Sequence, residues 1–311
     1  MSDIKKRQHY VWRRYLRAWT DDETIWTYFK RLRKIDRPNL MNVAQERYFY
    51  KAAEFTEAEE LFLKDFIQSL SPTEELKRFN LEFVSMFTIT NKLKKLVSLN
   101  TNKLVDTDSI TEEVRKLEIN LIEDAHCKIE DLGSKLIKYR SLDDLKTINQ
   151  NDYLFDAILF LCIQYFRTKN LKISALAKFK GTEHEEIMNK SWNIISYALA
   201  TIFTKSISLN TDLRFVFLEN NTSTTFITGD QPVFNLLNDK LNEKGEVAEL
   251  ELYYPITPHH ALKLYFDSAQ TEQFTSKEVD EELVSYLNKK VIQNSDFYVF
   301  ANSKEQLEAL N

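Results

Sequence analysis

Glu123 and His126 stand three residues apart in a segment whose apolar residues recur at helical spacing, so one helical face would present both. A carboxylate and an imidazole at that spacing form the ligand pair of carboxylate-bridged metal sites in helical bundles. Those sites need a second pair and further glutamates, and here only Glu130 follows nearby. A solvated polar face is the expectation, and no metal ligands are assigned. His259 and His260 follow Pro258 between two apolar runs; adjacent side chains there point apart, which suits an exposed turn with at most one ring reaching a pocket. His184, in a Glu-rich helix start, reads as surface. Trp12, Tyr15, Trp19, Trp26 and Tyr28 interleave with Arg13, Arg14 and Arg17. That pattern fits a stacking surface for single-stranded nucleic acid. More often such a pattern is a core edge covered by arginine stems. Residues 1–40 hold eleven Lys and Arg against five acids, enough to neutralise phosphates although the whole chain carries a net charge of −5. The chain contains no G-x-S-x-G, H-E-x-x-H, C-x-x-C, G-x-x-x-x-G-K-[ST] or G-x-G-x-x-G. This argues against serine hydrolases, zinc proteases, cysteine-based zinc sites and the usual phosphate loops.

The elements that must position these residues are mainly helices. Thr56 and Glu59 form a capping-box pattern that opens a helix over 57–70, and Thr73 caps the next, which runs to about residue 99. Residues 100–108 read as a polar loop. Further helices are expected over 111–139, 152–168 and 183–206, the second of them apolar almost all round and so buried on several sides. Strands are expected over 25–29, 213–218, 224–228, 250–254, 261–266 and 297–301, with a helix over 276–290. The class is α+β: a central helical block packed on a mostly antiparallel C-terminal sheet, with a small N-terminal β unit. No Pro/Gly/Ser linker divides residues 1–50, 51–209 and 210–311, so 1–311 reads as a single compact domain. With only four Gly and five Pro against 13% aromatic residues, a turn-rich sandwich is disfavoured and a well-packed core is expected. Cys127 and Cys162 fall in expected helices and read as free thiols of a reducing, cytoplasmic compartment. The N-terminus lacks the apolar run of a signal peptide, and the longest apolar stretch, 154–163, is interrupted by Asp156 and too short to span a bilayer. No membrane association is expected.

Five short segments carry a resemblance. They are Gln8-His9-Tyr10-Val11 with Tyr15-Leu16-Arg17 and Trp19; Val43-Ala44 with Phe49-Tyr50; Gln164-Tyr165-Phe166-Arg167-Thr168; Phe226-Ile227-Thr228-Gly229-Asp230-Gln231-Pro232-Val233; and Tyr254-Pro255-Ile256-Thr257-Pro258 with Leu262. In this order they resemble the family of unknown function numbered 4238, whose patterns run H-Y-V-P-x-x-Y-L-R-x-F, Q-x-x-R-T-P, F-x-x-S-D-x-P-V and P-L-S-P. Trp12 and Lys169 stand where the family has proline, Trp19 where it has phenylalanine, and Gly229 where it has serine.

The resemblance supplies candidate residues and no activity. Its polar members are His9, Arg17, Gln164, Arg167, Thr168 and Asp230. The expectation is that His9, Arg17, Arg167 and Asp230 converge, with Gln164 and Arg167 delivered from one helix end. A histidine serves as general acid or base. Two guanidiniums hold phosphate and stabilise developing charge. Gln164 and Thr168 would bind substrate, and Asp230 would orient His9 or hold a divalent cation such as Mg²⁺ or Mn²⁺, the cofactor itself being unassigned. This points to a phosphate-directed enzyme, a nuclease or nucleotide-processing protein of the kind found in bacterial defence or toxin systems, with nucleic acid or a nucleotide as partner. The same groups would equally build a nucleotide- or ligand-sensing module or a buried structural network, and an interaction scaffold is the third reading. Oligomeric state is not legible.

Overall fold

Helix boundaries follow the local chemistry of the chain. In the computed structural model, which describes residues 7–49, 52–99, 107–150, 153–243 and 247–309, the helix Glu57–Leu70 begins with the expected reciprocal cap. Thr56 Oγ1 accepts from the Glu59 N–H, and Glu59 accepts from the Thr56 N–H at 2.7 Å. Helices Glu74–Leu99 and Thr107–Leu132 follow, then Tyr153–Phe166, Lys169–Leu176, Glu185–Lys190 and Trp192–Ser208. The helix expected over 183–206 is therefore broken at Ser191, and Lys169–Leu176 was not foreseen. Residues 1–6, Tyr50 and most of the expected 100–108 loop lie outside the described residues.

The fold is α+β. Five strands form one sheet in the order Phe274–Glu278, Leu213–Glu219, His260–Phe266, Glu251–Thr257, Phe234–Asn235. All its pairs are antiparallel except Phe274–Glu278 against Leu213–Glu219. Residues 276–278, expected to start a helix, are thus an edge strand, and the helix runs Glu281–Asn294, capped by Asp280. Thr275 and Phe274 supply the β character that the charged Lys277 and Glu278 obscure.

Both faces of this sheet are covered, which explains its continuous apolar runs. Phe215, Phe217, Tyr254, Leu262 and Leu264 face the helical block, with Tyr153–Phe166 lying along Trp192–Ser208. Leu218, Tyr253 and Ala261 face a second core with Val284, Leu287 and Val291 of the C-terminal helix. Neighbouring residues such as Tyr253 and Tyr254 thus point to opposite cores. The second sheet joins the two ends of the chain. Thr24–Phe29 pairs antiparallel with Tyr298–Ala301, which pairs in turn with Thr228–Gly229. Of the expected strand over 224–228, only Thr228 is a strand residue. Among the described residues, no helix is long and apolar enough to cross a membrane.

Candidate functional site

Of the aromatic residues near the N-terminus, Trp12, Trp26 and Tyr28 are half-buried, and Arg14 lies over the Trp12 ring at 5.8 Å. Tyr15 and Trp19 are core residues. The Tyr15 hydroxyl donates to the Pro255 carbonyl at 2.8 Å, and Trp19 Nε1 donates to the Phe226 carbonyl at 2.8 Å. Arg17 is half exposed and pairs with Glu23 at 2.7 Å. It lines neither the main cleft nor the two smaller spaces beside it, so the expected convergence does not include it.

That main cleft, of about 730 Å³, opens where the end of Tyr153–Phe166, the start of Lys169–Leu176, the Glu185–Trp192 corner and the 296–298 turn meet. Its cations are Arg31, Arg167, Lys169, Lys172 and Lys190, against the carboxylates of Glu46 and Asp296. Rings of Tyr10, Tyr48, Phe49, Trp192, Phe297 and Tyr298 complete the walls. Lys169 reaches Glu46 at 2.6 Å and lies over the Tyr10 ring; Arg31 grips Asp296 through two bonds of 2.6 and 2.8 Å. Lys190 pairs with Glu59, outside the cleft. Lys172 donates to the Asn189 carbonyl at 3.1 Å and forms no salt bridge among the described residues; burial pushes its pKa down, against the attraction of Glu46.

Arg167 and Thr168 arrive as the sequence suggested, from the end of the central helix. Arg167 is only 6% exposed and forms part of the cleft floor, its Nη1 at 3.3 Å from Glu130. Thr168 is the N-terminal flanking residue of Lys169–Leu176, yet its hydroxyl donates back to Tyr165 and leaves that helix start without a side-chain cap. Gln164 is buried inside the helix, its Nε2 without a hydrogen-bond partner, and does not line the cleft.

His9 lies on the other side of the Arg167–Glu130 pair. It lines a cavity of about 120 Å³ together with Trp12, Arg13, His126, Cys127 and Glu130. The Leu40 carbonyl accepts from its ring, burial pushes its pKa down, and the buried Nε2 has no partner. This is the arrangement of a neutral imidazole with one nitrogen fixed and the other able to accept a proton. His126 is not on a solvated face: it is buried against Tyr197, ring centroids 5.2 Å apart, and burial with Arg167 nearby holds its pKa far below the usual value. The Glu123 side chain is outside the described ones. His259 and His260 close a turn through Thr257 and Asn220, and His184 stacks on Phe62.

Asp230 does not orient His9. Its Oδ1 accepts from the Asp296 N–H at 2.8 Å, and its Oδ2 from the Phe297 and Tyr298 N–H groups at 2.7 and 3.0 Å. Burial pushes its pKa up despite these bonds, and Asp296 adds to the rise. Both oxygens thus hold the turn that forms one cleft wall, which removes the carboxylate as a ready cation ligand. Among the described residues, no three His, Cys, Asp or Glu side chains group to hold a metal ion.

A family model for proteins of unknown function, DUF4238, matches residues 7–305, nearly the whole chain. The chain belongs to the DUF4238 family. No curated protein and no solved structure matches it. Three of the DUF4238 segments quoted above line the cleft, through Tyr10, Phe49, and Arg167 with Thr168, and a fourth places Asp230 behind the 296–298 wall. Lys172, Lys190, Trp192 and the wall itself lie outside those segments, and no motif or spacing marked them.

The departure of this DUF4238 chain at Gly229 has a local cause. A Cβ there would lie 1.9 Å from Ser295 Oγ and 3.1 Å from both Ser295 Cβ and the Tyr298 carbonyl oxygen. Ser295 Oγ meanwhile donates to the Val291 carbonyl at 2.7 Å. Gly229→Ala is expected to cost about 1–3 kcal/mol through overpacking. Adding Ser295→Ala should return part of that loss in urea unfolding; a double variant no better than the single one would show that the backbone contact to Tyr298 dominates.

Proposed function

We propose that the cleft binds the phosphate of a nucleotide or nucleic-acid end. The supporting observation is its charge: five cations and two carboxylates line it, in a protein whose net charge is −5. After the pairs Lys169–Glu46, Arg31–Asp296, Lys190–Glu59 and Arg167–Glu130, Lys172 is the lining cation in no salt bridge among the described residues. An unbalanced positive concavity focuses field and concentrates anions. Its volume falls in the range of small-ligand sites, about 300–1,000 Å³. Lys172 offers a cation that forms no salt bridge among the described residues, and the rings offer faces for a base.

Turnover of the bound phosphate, as in a nuclease or nucleotide-processing enzyme, would require His9 to reach the cleft from the separate cavity it lines. Its Nε2 is buried and unpartnered, one ion pair away from the cleft floor. A sensor would use the same cleft without needing His9. The scaffold reading draws on a different place, a groove of about 490 Å³ where Phe79, Phe155 and Leu209 are exposed.

Titration of the protein with nucleoside 5′-triphosphates and the matching nucleosides tests the cleft. Lys172→Ala should weaken triphosphate binding about tenfold, the weight of one charge-assisted contact. An unchanged affinity would remove the cleft from the account. Product formed by the wild type with Mg²⁺ or Mn²⁺, and lost in a folded His9→Ala variant, would select the enzyme over the sensor.

A further inference from the structure

Beside the cleft lies a niche of about 10 Å³, which it adjoins through shared lining residues Tyr10, Thr168, Lys169 and Asp296. That volume holds one water-sized group. Two features of its walls are chemically opposite. One is the start of the helix Lys169–Leu176, where no side-chain cap takes the first N–H groups. These are donors, and the helix dipole adds positive potential. The other is Gln231, 5% exposed, whose buried Oε1 has no hydrogen-bond partner. It is an acceptor. The carboxylate of Asp230 also borders the niche, but its oxygens are already engaged by the 296–298 N–H groups.

A phosphate oxygen would satisfy the helix N–H groups and leave Gln231 Oε1 unpaired. An ammonium would do the reverse. Of the groups a nucleotide could place there, a hydroxyl, taking the position a water would otherwise fill, both accepts from the helix start and donates to Gln231. We infer that the niche receives a ribose hydroxyl of a ribonucleotide whose phosphate lies in the cleft. This rests on the phosphate reading of the cleft and narrows it to ribose over deoxyribose. The 2′-hydroxyl is the group by which proteins separate RNA from DNA. A site built to bond a hydroxyl also rejects the analogue that lacks it, because its buried polar groups are left unpaired.

The test is calorimetric titration of the full chain with the four ribonucleoside 5′-monophosphates and with their 2′-deoxy and 3′-deoxy counterparts. The wild type should bind at least one ribonucleotide about tenfold or more tightly than one of its deoxy forms. Gln231→Leu should erase that difference while keeping the deoxy affinity, and Gln231→Glu, which retains an acceptor oxygen, should keep a preference. Equal wild-type affinity for ribo and deoxy forms would overturn the niche assignment alone. No binding of any monophosphate would overturn this inference, and no binding of the matching triphosphates either would overturn the cleft reading with it. Since the wild-type comparison needs no variant, misfolding of either substitution leaves the test decisive.

Discussion

Arg167→Met is expected to lower stability by about 3–5 kcal/mol, the range for breaking a buried ion pair from one side. The Arg167 side chain is 4% exposed and that of Glu130 13%, with 3.3 Å between Nη1 and Oε1. Removing the guanidinium leaves the Glu130 carboxylate close to the buried His126 and Tyr254, both in the field of Arg167. Methionine keeps most of the volume, so little of the loss comes from a cavity. Pairing it with Glu130→Gln removes the carboxylate charge opposite the lost guanidinium and should return part of the stability, seen as a shift in urea midpoint at constant slope. A loss under about 1 kcal/mol would mean that the pair behaves as a solvated one.

Asp230→Ala is expected to cost about 3 kcal/mol or more. Three backbone N–H groups, those of residues 296, 297 and 298, lose their acceptor at once, each at about 1–3 kcal/mol where water does not replace it. The turn keeps other ties, among them the Lys30 N–H on the Phe297 carbonyl at 2.9 Å and the residue-230 N–H on the Tyr298 carbonyl at 3.1 Å. Loosening is therefore expected at the cleft wall, read as faster amide exchange at 296–298, with the sheet pairing at 299–301 less affected. The pH dependence has a definite sign. Burial raises the folded pKa of Asp230 above its unfolded value of about 3.9. Its contribution is thus fully present below that unfolded value and falls as pH rises through the folded one. The alanine deficit should be larger at acid pH than at pH 7; a deficit that grows toward neutral pH would show that the three N–H bonds outweigh burial.

How far this was readable from sequence depends on whether a feature is local. The capping box at Thr56 and the buried central helix depend on neighbours a few residues away, and both stand where the pattern put them. The edge strand Phe274–Glu278 depends on its partner Leu213–Glu219, some sixty residues away, and its charged end disguised it as a helix start. The same holds within the site. Arg167 and Thr168 were marked by the family segment, and they line the cleft. Asp230 was marked too, but its bonds to residues 296–298 are a tertiary fact that gave it a holding role. Arg17 has the right chemistry and the wrong position, because its helix turn directs it to Glu23. Lys172 and Lys190 look like ordinary surface lysines in the sequence. Only the corner at Ser191 and the start of Lys169–Leu176 bring them to one space.

The most direct measurement of the central claim is the salt dependence of nucleotide binding by the wild type. Titrations with a nucleoside triphosphate and with its nucleoside, at about 50 and 200 mM salt, separate phosphate recognition from stacking. The positive cleft predicts that the triphosphate binds, that its affinity falls several-fold across that range, and that the nucleoside binds far more weakly with little salt dependence. Equal affinities for the two ligands, or triphosphate binding indifferent to salt, would contradict it.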